Sequence, residues 1–312
     1  ISADSMQIYK GIHIASAAPD EEEKSGIEHH LIEFLNLDQS FSVAEYVDLA
    51  RNKIKEIAEK GKIPIVVGGT GLYISSLLDN TEFTSEETDY NLRAELEERF
   101  DTVGAENMLK ELAEFDPQSA ERLHPNNRRR IIRAFEVYKL TGKTITEQNE
   151  LSHKNEGFIE PLVIGINYSD REKLYERIGL RVDIMLKNGL LEEAETTFND
   201  ANGKGAFQAI GHKELYGYFD GSVTLEEATE LLKQQTRRYA KRQITWFKRD
   251  ERINWIYADI CEDAVKTALS LTKEFLKEMQ ESYQHKFAKK PEVITGNMNA
   301  LKMTLEEIGK LM

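Results

Sequence analysis

Apolar residues recur at helical spacing from Val43 through Tyr46, Val47, Ala50, Ile54 and Ile57, one stripe of an amphipathic helix. Ser42 with Glu45 three residues on predicts a capping box at its start, and Gly61 its stop, giving a helix over 42–59. The next run, Ile63-Pro64-Ile65-Val66-Val67, is continuously apolar and rich in β-branched residues, which predicts a parallel strand covered on both faces. Gly68-Gly69-Thr70-Gly71-Leu72-Tyr73 then opens another helix. Helix, strand, glycine turn and helix make an α/β unit, in which ligands sit at the carboxyl ends of strands and helix N-termini attract anions. Taken alone the glycine string reads equally well as a tight turn, since it matches neither a Walker A nor a GxGxxG pattern.

From about Asp89 to Gly142 the pattern is helical and highly charged, with candidate helices at Asn91–Phe100, Ala105–Phe115, Pro117–Leu123 and Arg128–Thr141 and no strand between them. A strand returns over Pro161–Ile166, followed by a helix from Asp170 to Asn188 that Gly189 stops. Ser152–Gly157 reads as a linker, Trp255-Ile256-Tyr257 as a last short strand, Ile260–Tyr283 as a closing helix, and 298–312 as a short helix in a tail of no assigned role. The fold class expected is α/β, a parallel-sheet core interrupted by a helical insertion. The boundaries expected are core over 1–88, insertion over 89–150, core again over 151–283 and tail over 284–312.

Composition narrows the function classes. The 312 residues hold 55 acidic and 41 basic side chains, a formal charge of -14, so any nucleic-acid contact must come from local basic patches. Cys261 is the single cysteine, which excludes an internal disulfide framework and a multi-cysteine zinc cluster and fits a reducing compartment. No segment approaches transmembrane length and no signal peptide opens the chain, so no membrane association is expected and the cytoplasm is the default location, with a monomer as the default state. His29 and His30, adjacent in what reads as a strand, point to opposite faces and are structural rather than metal ligands.

Against that acidic background, Gln234–Arg249 carries six cations and no carboxylate. Wound as a helix, Arg238, Arg242 and Trp246 form one row and Lys241, Thr245 and Arg249 a second. Such a face offers guanidinium forks for phosphate and aromatic rings for stacking, although a generic basic run is more often a solvated, salt-bridged helix surface. A second cluster, Asn126-Asn127-Arg128-Arg129-Arg130 with Arg133, sits at a helix start, where cations oppose the helix dipole unless phosphates lie opposite.

Five strings occur in order: SADSMQIYKG at 2–11, GGTGLY at 68–73, HPNNRRRIIRAFEVYKLTGK at 124–143, QAIGHKE at 208–214 and KRQITWFKR at 241–249. In this combination the chain resembles the bacterial tRNA dimethylallyltransferases, also called tRNA isopentenyltransferases, over residues 1 to about 260. The resemblance implies a P-loop NTPase-like core and transfer of a dimethylallyl group from dimethylallyl diphosphate to the N6 amine of the adenine just 3′ of the anticodon, position 37, in tRNAs reading codons that begin with U. It implies Mg2+ as cofactor and the tRNA anticodon stem-loop as partner. It casts Asp4 as the base that accepts the amine proton and places Thr70 at the tRNA channel with a catalytic role. It also implies tRNA contacts by Asp4, Ser5, Met6 and Gln7, by Arg93, by Arg129, Arg130, Ile131, Ile132 and Arg133, by Gln208, Ala209, Ile210, Gly211, His212 and Lys213, and by Lys241, Arg242, Gln243, Ile244, Thr245, Trp246, Phe247 and Lys248. Arg238 and Arg242 are the expected diphosphate ligands.

The chemistry agrees with these residues. An exocyclic adenine amine is a poor nucleophile whose proton a carboxylate can take, cations stabilise a departing diphosphate, and a stacked base must be flipped out to react.

Three departures from the family pattern stand out. The diphosphate-binding GPTAxGKT loop is expected ahead of Ile1, and without it the chain is expected to be inactive. Ala15-Ser16-Ala17-Ala18-Pro19 replaces Gly-Thr-Ala-Lys-Pro, losing a lysine at 18, and His212 stands where tyrosine is usual. The sequence leaves other readings in view: transfer to free AMP or ADP, a P-loop small-molecule kinase, or a tRNA-binding protein without catalysis. Taken singly, Asp4 also reads as a helix cap, Thr70 as another, and Arg93 as a solvated helix residue.

Overall fold

The computed structural model describes residues 1–81, 83, 89–152, 159–200 and 205–287. In chain order the helices are α1 (Glu21–Lys24), α2 (Val43–Glu59), α3 (Gly71–Leu78), α4 (Tyr90–Val103), α5 (Ala105–Phe115), α6 (Pro117–Arg122), α7 (Arg128–Thr141), α8 (Ile145–Ser152), α9 (Arg171–Lys187), α10 (Leu190–Asp200), α11 (Tyr216–Phe219), α12 (Leu225–Phe247) and α13 (Ala264–Phe287). The strands are β1 (Val163–Asn167) and β2 (Ile253–Tyr257). Two compact units result, Ile1–Ser75 with Pro161–Met312, and Ser76–Glu160. The second is thus inserted in sequence between two stretches of the first.

In the first unit β1 and β2 pair in parallel from Val163 opposite Ile253 to Asn167 opposite Tyr257. Gly165 permits the pairing, because a Cβ there would lie 2.7 Å from Ile253 and 2.9 Å from the Trp255 ring. The strand expected over 63–67 is reduced to a parallel bridge between Ser2 and Val67. It is held by Ala3 N–H to Val67 O at 2.7 Å and Val67 N–H to Ile1 O at 3.0 Å. Ile65 and Val67 are 67% and 66% exposed, so the expectation of a run covered on both faces is corrected: these two side chains share a face that no neighbour among the described residues covers.

The helix expected over 42–59 forms as α2, with both halves of the Ser42–Glu45 capping box made and Tyr46, Val47, Ala50 and Ile54 buried. Tyr46 stacks on Tyr73 of α3, ring centroids 4.1 Å apart, which docks α2 against the helix that follows the glycine turn. Val182, Leu190, Ala194, Leu215, Ala228 and Leu232 form one core among α9, α10 and α12. A second core gathers Ile8, Tyr9, Ile12, Ala206 and Ala209, with Met6 packed on it. Each buried Leu or Ile contributes about 1.5–3 kcal/mol.

Asp170 caps α9 by accepting from Glu172 N–H. The closing helix begins at Ala264, later than the Ile260 expected, because Ile260 and Cys261 turn back onto Tyr257 O while Asp263 caps Lys266 N–H. His29 and His30 lie in no strand, another correction; the chain there is irregular and His30 O accepts from Ser2 N–H. The helix expected over 298–312 and most of the linker over 152–157 lie outside the described residues.

The second unit is built on α4, α5 and α7 around Leu96, Met108, Leu112, Ile131, Ile132, Ala134 and Phe135. Asp116 caps α6, accepting from Ser119 N–H and Oγ, and reaches Thr146 Oγ1 at 2.6 Å, which fastens α8 to the same corner.

Candidate active site and nucleic-acid interface

The glycine turn at 68–71 explains how the first unit holds a polar site at a strand end. A Cβ on Gly68 would fall 2.3 Å from the Ala3 backbone, so only glycine lets the turn close onto the 1–3 segment. Thr70 is thereby brought beside residues 3–5: its N–H donates to Ala3 O at 3.1 Å, its Oγ1 accepts from Ser5 N–H at 2.9 Å, and its hydroxyl donates to Ser5 Oγ at 3.3 Å. Asp4 sits at the head of this turn. Its Oδ1 accepts from Met6 N–H at 2.7 Å and Gln7 N–H at 3.3 Å, which fixes the carboxylate plane. No hydrogen bond from the described residues reaches Oδ2, so one oxygen remains to accept a proton from outside.

α12 supplies the opposite support. Gln243 Nε2 donates to Gly69 O at 2.9 Å, and Trp246 Nε1 donates to Ser75 Oγ at 2.9 Å while its ring lies where a Cβ on Gly71 would be, 2.5 Å away. Tyr239, one turn before Gln243, completes this row. Burial and the Asp4 charge push its phenol above the ordinary value, while hydrogen bonds to Thr70 and Gln243 act in the other direction. The row that grips the turn is therefore Tyr239–Gln243–Trp246. This corrects the expected grouping of Trp246 with Arg238 and Arg242, because the helix rotates 100° per residue and Trp246 falls on the inner face.

The outer face of α12 keeps Arg238, Lys241, Arg242 and Thr245 exposed, with Lys248 exposed at its end and Ile244 and Phe247 half-buried. Arg242 lies over the Tyr239 ring at 5.6 Å. Arg181 of α9 also belongs here: packing lowers its guanidinium pKa, the Asp4 carboxylate acts to raise it, and Arg177 to lower it. Its side chain remains solvent-accessible, and an Arg so placed stays charged.

Neither Arg181 nor Tyr239 was among the candidates. The four-residue spacing of Tyr239 and Gln243 was an available signal; for Arg181 the sequence held none.

In 208–213, Gln208 and Lys213 are exposed and Ile210 is partly buried, but Ala209, Gly211 and His212 are buried. As side-chain contacts to a nucleic acid, Ala209 and His212 are corrected. Ala209 lies in the core with Ile8 and Ile12, and the His212 ring bonds Glu193 at 2.8 Å inside the protein. Gly211 N–H is likewise engaged, donating to Glu214.

The second unit gathers its own cationic group. Glu136 of α7, its side chain 3% exposed, stands 3.3 Å from both Arg93 of α4 and Arg133 of its own helix. Arg128 is paired with Asp101 and lies over the Phe100 ring at 4.9 Å. Arg129 and Arg130 are exposed, whereas Ile131 and Ile132 are 0% and 1% exposed, so these two are corrected from contact residues to core residues. Helical geometry requires it: Arg129, Arg130 and Arg133 take the outer face and leave 131, 132 and 135 inside.

Among the described residues no three His, Cys, Asp or Glu side chains gather as a metal site. Asp4 thus lacks, among the described residues, the two further His, Cys, Asp or Glu ligands that would complete one. No helix among the described residues is long and apolar enough to cross a membrane.

A strand-end glycine turn in a mixed α/β unit, with a helical unit inserted in sequence, belongs to a P-loop NTPase-like α/β fold. Residues 7–250 match the family model described as IPP transferase, and the chain belongs to that family. It is 50% identical over 261 residues to the tRNA dimethylallyltransferase of Acetivibrio thermocellus, covering 83% of each chain. Among solved structures it resembles the full-length tRNA isopentenylpyrophosphate transferase of Bacillus halodurans at TM-score 0.65 and 38% identity, covering 91% of this chain and 89% of that one. It also resembles a eukaryotic dimethylallyltransferase acting on tRNA at TM-score 0.73 and 28% identity, covering 89% of this chain and 72% of that one.

Proposed function

We propose that this protein is a tRNA dimethylallyltransferase acting on the N6 amine of adenine 37, 3′-adjacent to the anticodon, in tRNAs that read codons beginning with U, with dimethylallyl diphosphate as donor. The observation that carries the reading is Asp4: a strand-end carboxylate with one oxygen locked by amides and the other open, beside Thr70, in an IPP transferase family chain. In the transfer the amine nitrogen bonds the allylic carbon as that carbon's bond to the diphosphate oxygen breaks. Asp4 Oδ2 takes the amine proton, and the diphosphate leaves with the bonding pair.

Arg181, Arg238 and Arg242 supply positive charge for the leaving group, and Thr70 holds the Asp4–Ser5 backbone so that the carboxylate is aimed before substrate arrives. Mg2+ held by the substrate diphosphate, with few protein ligands, would add to that charge neutralisation. The exposed Arg129, Arg130 and Arg133 of the second unit serve the phosphates of the anticodon stem-loop, with Arg93 beside them. The setting is the cytoplasm and the working form a monomer. Transfer to a free adenine nucleotide, or a kinase activity, is not favoured by any of the relatives.

Protein made from the complete reading frame, incubated with dimethylallyl diphosphate, Mg2+ and a UNN-reading tRNA, is expected to give dimethylallyl-adenine at position 37 by nucleoside mass spectrometry. Absence of that nucleoside alongside an active control enzyme would overturn the proposal, and prenylation of AMP instead would replace it.

A further inference from the structure

The carboxylate of Glu193 on α10 is not part of the chemistry above, yet it accepts four hydrogen bonds. Oε2 takes the N–H groups of His13 and Ile14, each at 2.8 Å; Oε1 takes Ala15 N–H at 3.0 Å and His212 Nε2 at 2.8 Å. Its side chain is 8% exposed and that of His212 0%. Burial alone would raise this carboxyl, but the His212 bond and the Ile14 and Ala15 amides outweigh it and hold the pKa below the ordinary glutamate range. Gly211, with φ +109°, lets the loop approach: a Cβ there would meet Ala15 Cβ at 2.9 Å.

The anchored loop in turn holds the turn that carries Asp4. Gln7 Nε2 donates to Ser16 O at 3.2 Å and Ala17 O at 3.1 Å; Gln7 Oε1 accepts from Ser2 Oγ at 2.8 Å, and Ser2 Oγ accepts from Asp4 N–H at 3.3 Å. Hydrogen bonds from His212 and Glu193 to residues 13–15, the backbone on to 16–17, and hydrogen bonds from there to Gln7 and Asp4 thus form one connected path. We infer that Glu193 and His212 are positioning residues, which set the 13–17 loop and through it the Asp4–Gln7 turn that meets the target base. This rests on the tRNA reading only for its ligand. The mechanical coupling stands apart from it.

Glu193→Gln is the sharp test, because an amide of the same shape has one acceptor oxygen and turns an NH2 group toward backbone donors. Amide hydrogen exchange is compared for the wild type, Glu193→Gln, the milder His212→Gln, and Glu195→Gln on the exposed side of the same helix. Glu193→Gln is expected to speed exchange over residues 4–18 at least about tenfold while β1 and β2 stay protected, His212→Gln less, and Glu195→Gln not at all. Folded Glu193→Gln or His212→Gln protein with unchanged exchange over 4–18 would overturn the inference.

The second arm measures affinity for an anticodon stem-loop RNA in Gln7→Ala, Glu193→Gln and the double variant. Each single change is expected to weaken binding about tenfold and the double no more than the worse single. Multiplicative losses would show Glu193 acting independently of Gln7 and would also overturn it. Absence of RNA binding by the wild type would sink the tRNA reading and leave the exchange result to decide the positioning role.

Discussion

The two basic helices, α7 in the inserted unit and α12 in the sheet-bearing unit, carry similar charge to different ends. α12 starts with the Thr224–Glu227 capping box and glutamates at 226 and 227, so its N-terminus is satisfied internally and its cations, Lys233 apart, fall in its second half. α7 starts on Arg128, Arg129 and Arg130 with no side-chain cap from Asn127, and compensates with carboxylates: Asp101 for Arg128 and buried Glu136 for Arg133 and Arg93. The inner face of α7 is hydrocarbon apart from Glu136, whereas the second half of α12 turns a polar row onto the glycine turn, Gln243 to Gly69 O and Trp246 to Ser75 Oγ. A basic helix can thus be a cationic surface on an ordinary core, as α7 is, or the clamp of a functional turn, as α12 is.

The largest effect expected is from Asp4→Asn, which removes the proton acceptor and keeps the turn. Single-turnover prenyl transfer should fall about 100-fold or more with little change in RNA affinity. Next, Gly68→Ala sets a methyl group against the Ala3 backbone and should cost about 1–3 kcal/mol in denaturant unfolding, because backbone cannot swing aside.

Glu136→Ala in α7 should destabilise the inserted unit by about 1–2 kcal/mol, since it removes a buried carboxylate from two guanidinium groups that stay partly solvated, Arg93 keeping Glu97 as a partner. Arg238→Ala on the outside of α12 should stay within about 0.5 kcal/mol of wild type. Equal losses for these two would erase the contrast between the helices. Arg129→Ala and Arg242→Ala should leave stability near wild type but each lower the slope of log affinity against log salt by about 1.

The smallest effect concerns pH. Glu193 has a folded pKa below its ordinary 4.5, so the stability it contributes is complete above that value and is lost as pH falls through the folded pKa. Acid unfolding below about pH 4.5 should therefore be blunted in Glu193→Gln, a protein already weaker at neutral pH.

Much of this was legible in sequence where the cause is local. The Ser42–Glu45 box, the Asp170 cap and the Gly68–Gly71 turn each act within a few residues. What failed depended on distant partners. That Ile63–Val67 makes only a bridge is a property of what lies beside it. That Trp246 turns inward to Ser75 follows from packing of a helix whose register against the turn no spacing rule gives. Ile131, Ile132, Ala209 and His212 fell inside motifs recognised as contiguous strings, but a string does not separate the residues facing a ligand from those facing the core. Glu193 carries no signal in the sequence because three of its four donors, at residues 13–15, lie 178–180 residues away in the chain.

The Gln243–Gly69 and Trp246–Ser75 bonds span 174 and 171 residues. During synthesis, the turn bearing Thr70 leaves the ribosome long before its clamp exists. The inserted unit, Ser76–Glu160, is by contrast one continuous stretch of sequence. The turn that holds Asp4 and Thr70 can therefore be completed only after residues 239–246 have been made. A nascent chain stalled before Tyr239 carries Asp4 and Thr70 without the row that fixes them.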